Sequence, residues 1–256
     1  MREFIIQTRD LEKTYRKKDG YVCVVRDINI GIHEKELVSL MGPSGCGKST
    51  LLKMLGGITE PTSGNVTLGD NVYDHGISSS VLIIFRFVFE RDTLLPMRTV
   101  KKNLDLPLEI IGLKGQEWER RISELLDMVG LGAYSDEYPH KLSGGMRQRI
   151  GVIRALVHDP DVLLMDHPFG ALDAITRRML AFEFLALWPE TQKTNCMVTN
   201  DIAEALLLSS RIYVISACPG LHSHETSCVI PFCARIVLRA RSHGHIELSR
   251  ALSLFF

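Results

Sequence analysis

Nine consecutive residues carry the clearest chemistry in the chain. They are Gly42, Pro43, Ser44, Gly45, Cys46, Gly47, Lys48, Ser49 and Thr50, and they lie between apolar runs at 37–41 and 51–55. Glycines at this spacing let successive backbone N–H groups curl around a phosphate, while Lys48 reaches its β and γ oxygens and the Ser49 hydroxyl binds Mg²⁺. A helix starting here adds the positive end of its dipole. The pattern predicts a nucleotide phosphate site; the alternative is an ordinary glycine-rich turn.

The elements that must position this loop are predicted to be β-rich. Short apolar runs at 4–6, 21–25 and 28–30 favour strands, a polar turn covers 16–20, and residues 65–69 alternate as a further strand. An antiparallel β start therefore precedes the loop and its helix. Tyr15 lies between the first two runs, where it would either stack on an adenine ring or pack as an ordinary core tyrosine.

The pattern becomes helical between residues 96 and 142. Two sets of apolar residues have the spacing of a helix face, and they are Val100, Leu104, Leu108 and Ile111, then Ile122, Leu125, Leu126 and Val129. Glycines at 112, 130 and 132 mark the ends of these two helical stretches. We predict an α-helical subdomain, at about residues 96–158, inserted between the two halves of an α/β core.

Composition narrows the choice of partners and location. The 256 residues are 45% hydrophobic, which suffices for a full α/β core, and 30 basic and 30 acidic residues cancel, so there is no electrostatic footprint for nucleic acid. The apolar run 81–85 stops at Arg86, far short of the ~20 residues of a membrane span. No signal peptide is recognisable, and the six cysteines form no C-x-x-C pair. We expect a cytoplasmic protein with reduced thiols that reaches a membrane only through a partner.

A second motif, Leu-Ser-Gly-Gly-Met-Arg-Gln-Arg, covers residues 142–149. Ser143 is a natural helix N-cap, and Gly144 and Gly145 leave backbone amides open to an anion. On these residues alone, an ordinary capped helix fits equally well. Together with the phosphate loop, however, the string resembles the signature motif of ABC-type ATPases. In that family the motif contacts the γ-phosphate of the ATP held by the other subunit, which implies a dimer.

The resemblance covers approximately residues 4–220 and extends to further motifs. The continuous apolar run 162–165 followed by Asp166 resembles a Walker B strand, whose aspartate helps to hold Mg²⁺. Ala171, Leu172 and Asp173 match the D-loop of the dimer interface, and Tyr15 matches the adenine-stacking aromatic. The resemblance implies ATP and Mg²⁺ as ligands and one ATP-binding domain over residues 1–220, with 221–256 as an atypical tail.

Residues 87–100 resemble one subgroup, the importers of nitrate, sulfonate and taurine. This implies an ATP-hydrolysing subunit that couples ATP to the uptake of a small solute. Two such subunits, as a homodimer, would sit under transmembrane permease subunits at the cytoplasmic face of the cell membrane. An external solute-binding protein would deliver the solute, and no nucleic acid would be bound.

Three positions depart from the family pattern. The family has Gln at 90, Glu at 167 and His at 200, whereas this chain has Glu90, His167 and Asn200. The usual Glu polarises the attacking water, and the usual His bridges that water and the γ-phosphate. A neutral His167 retains some capacity as a base, and Glu90 would either ligate Mg²⁺ or repel phosphate. Two interpretations stay open, namely sequence drift in a working ATPase and a catalytically weak ATP-binding module that serves a partner.

The tail, residues 221–256, is rich in Arg, His and Ser, with Cys228, Cys233 and two His-x-His pairs. No metal-ligand set of the usual spacing is complete in it. We therefore expect a loosely packed segment with one short helix at about 246–254.

Overall fold

The computed structural model describes residues 4–18, 20–69, 71–73, 85–90, 93–170, 173–191, 193–216 and 222–227. Residue contacts divide the chain into two compact units, which we call unit one (residues 1–78 and 194–256) and unit two (residues 79–193). Among the described residues, no helix is both long and apolar enough to cross a membrane.

Unit one contains the predicted antiparallel sheet. Strands β1 (Phe4–Lys17), β2 (Gly20–Ile28), β3 (Gly31–His33), β5 (Ser63–Leu68) and β6 (Asn71–Tyr73) form it, with the order β2-β1-β5-β6 and with β3 paired to β1. All of these pairings are antiparallel.

Two details of the predicted strands were wrong. Residues 11–15, which we placed between two strands, belong to β1, and the strand expected at 28–30 lies at 31–33. The cause is an irregularity at Asp10, whose φ is 46°. It lets one long strand bend and pair with β3 before the bend and with β2 after it.

A second sheet in unit one carries the phosphate loop. Strand β4 (Leu37–Met41) pairs in parallel with β9 (Thr194–Val198) on one side and with β10 (Arg211–Ile215) on the other. All five residues of β4 and all five of β9 are buried, as expected for parallel strands covered on both faces. Helices α1 (Lys48–Leu55) and α6 (Ile202–Leu208) complete the described part of this region.

The start of the tail is more ordered than we predicted. Residues His222–Ser227 form strand β11, which pairs antiparallel with β10, so the expectation of loose packing is wrong for these six residues. The unpaired backbone groups at the edge of a sheet favour the addition of another strand, which accounts for the pairing of these residues with β10. Within the described ranges no group of three metal-binding side chains occurs. Cys228, Cys233 and the helix expected at 246–254 lie outside the described residues.

Unit two contains most of the helices. They are α2 (Val100–Ile111), α3 (Gln116–Met128), α4 (Gly144–Leu156) and α5 (Ala174–Thr191), and the strands β7 (Phe85–Val88) and β8 (Val162–Asp166) pair in parallel. Apart from the half-buried Ile111, the apolar residues of the two predicted helix faces are buried. Helix α2 begins at a Thr99 cap and ends at Gly112, whose φ of 76° stops the helix in the left-handed conformation.

The cysteines in the described part of the chain form no disulfide, and they are Cys23, Cys46 and Cys196. Burial, with a smaller contribution from the charge of Glu36, raises the pKa of the Cys196 thiol well above its ordinary value. Cys196 is therefore a core residue of β9 rather than a reactive group.

Candidate nucleotide-binding site

The predicted phosphate loop leaves the carboxyl end of the buried strand β4. Its glycines are required by the backbone: a Cβ on Gly42 would lie 2.4 Å from the Ile215 carbonyl oxygen, and one on Gly47 would lie 2.8 Å from that of Val24. Gly45 has a φ of 82°, and no described atom lies within 4 Å of where its Cβ would be. The loop thus packs closely against the rest of the protein at Gly42 and Gly47. At Gly45 its backbone is uncovered, so a ligand can approach it closely.

The ammonium of Lys48 lies inside this loop. Its side chain is only 4% exposed, and Nζ donates to the carbonyl oxygens of Gly42 at 2.7 Å and Pro43 at 2.8 Å. Within the described residues no side chain caps the first turn of α1, which begins at Lys48. A buried positive charge beside uncapped helix amides is the environment that a phosphate needs.

Tyr15 lies in the hairpin that packs on the loop. It pairs with Val22 across β1 and β2, and a Cβ on Gly47 would touch Val24 and Val25, two and three residues further along β2. The residue is 40% exposed, and Lys13 Nζ lies over its ring, 5.2 Å from the centroid. Tyr15 is therefore partly accessible in the hairpin next to the loop, and its stacking on adenine stays a prediction.

Asn200 lies at the same sheet edge as the phosphate loop, because β9 runs parallel to β4 with Val198 opposite Leu40. Its neighbours are fixed: the Thr199 hydroxyl donates to the Glu204 carboxylate at 2.9 Å and accepts the Asp201 N–H at 3.0 Å. Asp201 in turn caps α6 by accepting the Glu204 N–H. Asn200 itself is exposed.

Unit two brings three other predicted residues to one edge. Strands β7 and β8 are parallel with Val88 opposite Met165, so Asp166 at the end of β8, His167 directly after it and Glu90 just beyond β7 lie at the carboxyl ends of neighbouring strands. Asp166 is 6% exposed, His167 is half-buried and Glu90 is exposed. His167 has a φ of 46°, which is uncommon for a residue other than glycine.

The signature residues form the helix start that we predicted. The Ser143 hydroxyl accepts the Met146 N–H at 3.2 Å, which confirms it as the N-cap of α4. Ser143 and Gly144 are exposed, whereas Gly145 is half-buried. The N-terminal end of α4 is therefore accessible at the surface.

Asp173 also caps a helix, a role that we did not predict from the sequence. Its carboxylate accepts the N–H groups of Ile175 at 3.1 Å and Thr176 at 3.0 Å at the start of α5. Hydrogen bonds from Thr176 lower the pKa of Asp173 from its ordinary value. An aspartate directly before a helical run is a recognisable N-cap signal. Ala171 and Leu172 of the predicted D-loop lie outside the described residues.

Two buried amide side chains form hydrogen bonds that we did not predict from the sequence. Asn103 of α2 is fully buried; its side-chain oxygen accepts the Leu95 N–H, and its amide donates to the carbonyls of Leu95, Arg98 and Thr99. Gln148 of α4 is 3% exposed and donates to the carbonyl of Pro168, in the segment that follows His167. Polar residues in a helical pattern read as solvent-facing, so the sequence offered no signal for either.

Comparison with known proteins decides the family. The pattern of the ABC transporter family matches residues 25–170. The chain belongs to this family. A solved dimeric ATP-binding cassette in a post-hydrolysis state, bound to ADP and Pi, superimposes with a TM-score of 0.78 at 32% identity over 87% of this chain and 98% of that chain. The predicted ABC-type α/β fold is thereby confirmed.

Curated members of the ABC transporter family are similar over most of their length. A taurine import ATP-binding protein of Rhizobium johnstonii is 42% identical over 75% of this chain and 72% of its own length. A nitrate import ATP-binding protein of Synechocystis sp. is 37% identical over 88% and 83%. An aliphatic sulfonates import ATP-binding protein of Bacillus cereus is 37% identical over 84% and 82%. The predicted resemblance to the nitrate, sulfonate and taurine group is confirmed.

Proposed function

We propose that this chain is the ATP-binding and ATP-hydrolysing subunit of an importer, which couples ATP to the uptake of a small solute such as nitrate, sulfonate or taurine. It acts as a homodimer, attached to transmembrane permease subunits at the cytoplasmic face of the membrane. A solute-binding protein supplies the permease from outside. The observation that carries the proposal is the buried Lys48 ammonium inside an intact phosphate loop at the start of α1.

The residues present fit a magnesium nucleotide. A Cβ on Gly42 or Gly47 would collide with the carbonyl oxygen of Ile215 or Val24, so only glycine allows the tight curl of the loop, and Gly45 leaves the backbone uncovered where a phosphate would bind. The Ser49 hydroxyl and the Asp166 carboxylate are the hard oxygen donors that Mg²⁺ prefers, and Glu90 offers another. Mg²⁺, when bound, neutralises phosphate charge. Tyr15 would stack on the adenine, and Ser143, Gly144, Gly145 and Asp173 would face the partner subunit's nucleotide.

A second candidate is a catalytically weak ATP-binding subunit that completes its partner's site. The replacement of the family's Glu and His by His167 and Asn200 favours it. The phosphate loop and Asp166 are retained, so nucleotide binding does not depend on the two replaced groups. In the family both groups act on the attacking water, and positioning and electrostatic stabilisation of that water are lost together. We therefore expect slow turnover and a long-lived ATP-bound dimer.

The test restores both groups in the variant His167→Glu with Asn200→His. Steady-state phosphate release should rise by about 10²-fold or more over the parent, because each ~1.4 kcal/mol of transition-state stabilisation is tenfold in rate. ATP affinity, measured by calorimetry, should stay within a few-fold. Each single change should give less than the double change, since both groups act on one water.

A Lys48→Met variant is the background control, because it should release no phosphate. A parent that hydrolyses ATP as fast as the double variant would show that His167 replaces the carboxylate, and the weak-module candidate would be wrong. A parent and a double variant that both fail to bind Mg-ATP would contradict the proposed function itself.

A further inference from the structure

The segment that carries His167 forms a tight turn directly after β8. The Gly170 N–H donates to the His167 carbonyl oxygen at 2.9 Å, with Pro168 at the second position of the turn. Proline at that position and glycine at the fourth are the residues that such turns favour. His167 enters the turn with a φ of 46°, a conformation that costs free energy for a side chain other than glycine. Something beyond the turn must therefore hold this backbone.

Side chains from two helices hold it. Gln148 of α4 donates its amide to the Pro168 carbonyl. Arg177 of α5 donates Nε to the Phe169 carbonyl at 3.2 Å and directs Nη2 toward that of Gly170 at 3.5 Å. Three successive carbonyls are thus bound from outside the turn. Phe169 is 2% exposed and packs edge-on against Phe184, which anchors the turn from the core side.

Helix α4 connects this turn to two other parts of unit two. Its N-cap is Ser143 of the signature motif, and Gln148 follows five residues later, about 7.5 Å along the helix axis. Nearer its other end, Arg154 donates to the carbonyl of Thr93 at 2.9 Å, just beyond Glu90. One rigid element therefore carries the signature residues and contacts both segments that follow the strand ends.

We infer that Gln148 is a positioning residue that couples the signature helix to the side chain at position 167. Its amide fixes the Pro168 carbonyl, and the fixed turn sets the direction in which residue 167 leaves the backbone. Under the proposed function, on which this inference rests, the signature contacts the partner's ATP while residue 167 serves the chain's own. The hydrogen bond from Gln148 then links the two nucleotides of a dimer through a single helix.

The test variant is Gln148→Met, which keeps the length of the side chain but has no donor. Its matched control is Gln116→Met, the same change at the exposed first residue of α3. Each is made in the native chain and in the His167→Glu, Asn200→His background. Hydrogen exchange of the Gly170 amide reports on the turn in both, and kcat and KM for ATP report on positioning in the second.

We expect Gln148→Met to speed exchange at Gly170 by about tenfold and to lower kcat by about tenfold, with KM within twofold. Gln116→Met should change neither. Arg177→Met removes the hydrogen bonds to the Phe169 and Gly170 carbonyls and should likewise lower kcat while leaving KM nearly unchanged. It provides a second variant if Gln148→Met does not fold.

Unchanged Gly170 exchange and unchanged kcat in Gln148→Met would overturn the inference. Faster exchange spread over all of unit two, with kcat and KM changing together, would also overturn it, because that pattern indicates a purely structural residue. If the restored background hydrolyses no ATP, the proposed function has failed. Faster exchange confined to the turn in the native chain would in that case still support the coupling.

Discussion

Replacing Lys48 with methionine separates nucleotide binding from folding. The ammonium donates to the Gly42 and Pro43 carbonyls and is almost wholly buried. Methionine fills a similar volume without charge, so the core around the loop keeps its packing. We expect Mg-ATP binding to be lost while the chain stays folded.

The magnitude follows from the number of charged contacts. In the bound state the Lys48 ammonium would gain phosphate oxygens as partners, and a hydrogen bond that involves a charged group contributes about 1.5–3 kcal/mol. Two such bonds give about 3–6 kcal/mol, which corresponds to a loss of roughly 10²- to 10⁴-fold in affinity. The cost to the unliganded fold is smaller, since removing the lysine also removes a buried charge.

Calorimetric titration with Mg²⁺ and a slowly hydrolysed ATP analogue measures the affinity, and thermal unfolding checks the fold. Lys53→Met is the matched control, because Lys53 lies in the last turn of the same helix. It should bind as the parent does. A Lys48→Met variant that binds the analogue within threefold of the parent would refute our assignment of the loop.

Three further predictions concern stability and the tail. Asn103→Ala should lower the free energy of unfolding by about 3 kcal/mol or more in urea titrations, because it leaves several backbone partners without a hydrogen bond. The Asp173→Asn variant should show a smaller decrease in Tm below about pH 4 than the parent. Because the pKa of Asp173 is lower in the folded chain than its ordinary value, the ionised carboxylate stabilises the fold at higher pH, and this stabilisation is lost as the pH falls through the folded-state pKa. Deleting residues 228–256 should leave the affinity for Mg-ATP unchanged, because every predicted site residue precedes residue 201. Extending the deletion to residue 222 removes β11 and should lower Tm without changing that affinity.

The sequence predicted the site residues better than the contacts that hold them. The phosphate loop, the Ser143 cap and the buried strand ending at Asp166 all depend on local patterns of glycine, capping residues and apolar runs. Each pattern is contained in fewer than about 15 residues, so one sequence suffices to recognise it. The same holds for the apolar faces of α2 and α3.

The rest depends on contacts between residues far apart in the chain. The bend at Asp10 coincides with a register shift in the pairing of β1 with β5, where a Cβ on Gly64 would lie 2.3 Å from the Asp10 carbonyl oxygen. The bond from Gln148 to Pro168 spans 20 residues. The pairing of β11 with β10 places a polar, histidine-rich segment on a sheet edge, which hydropathy does not predict.

The position of the three replaced residues explains how catalysis can change while the fold does not. Glu90, His167 and Asn200 each follow the carboxyl end of a parallel strand, and none of them is buried. The retained Lys48 and Asp166, like Gln148, are buried and bound by the structure around them. Because the exposed Glu90 and Asn200 and the half-buried His167 lie beyond the strand ends and outside the core, substitutions there should change the free energy of unfolding by only about 0.5 kcal/mol each. Restoring the family residues should therefore leave Tm nearly unchanged while changing turnover, so the fold itself puts little constraint on whether this chain hydrolyses ATP quickly or holds it.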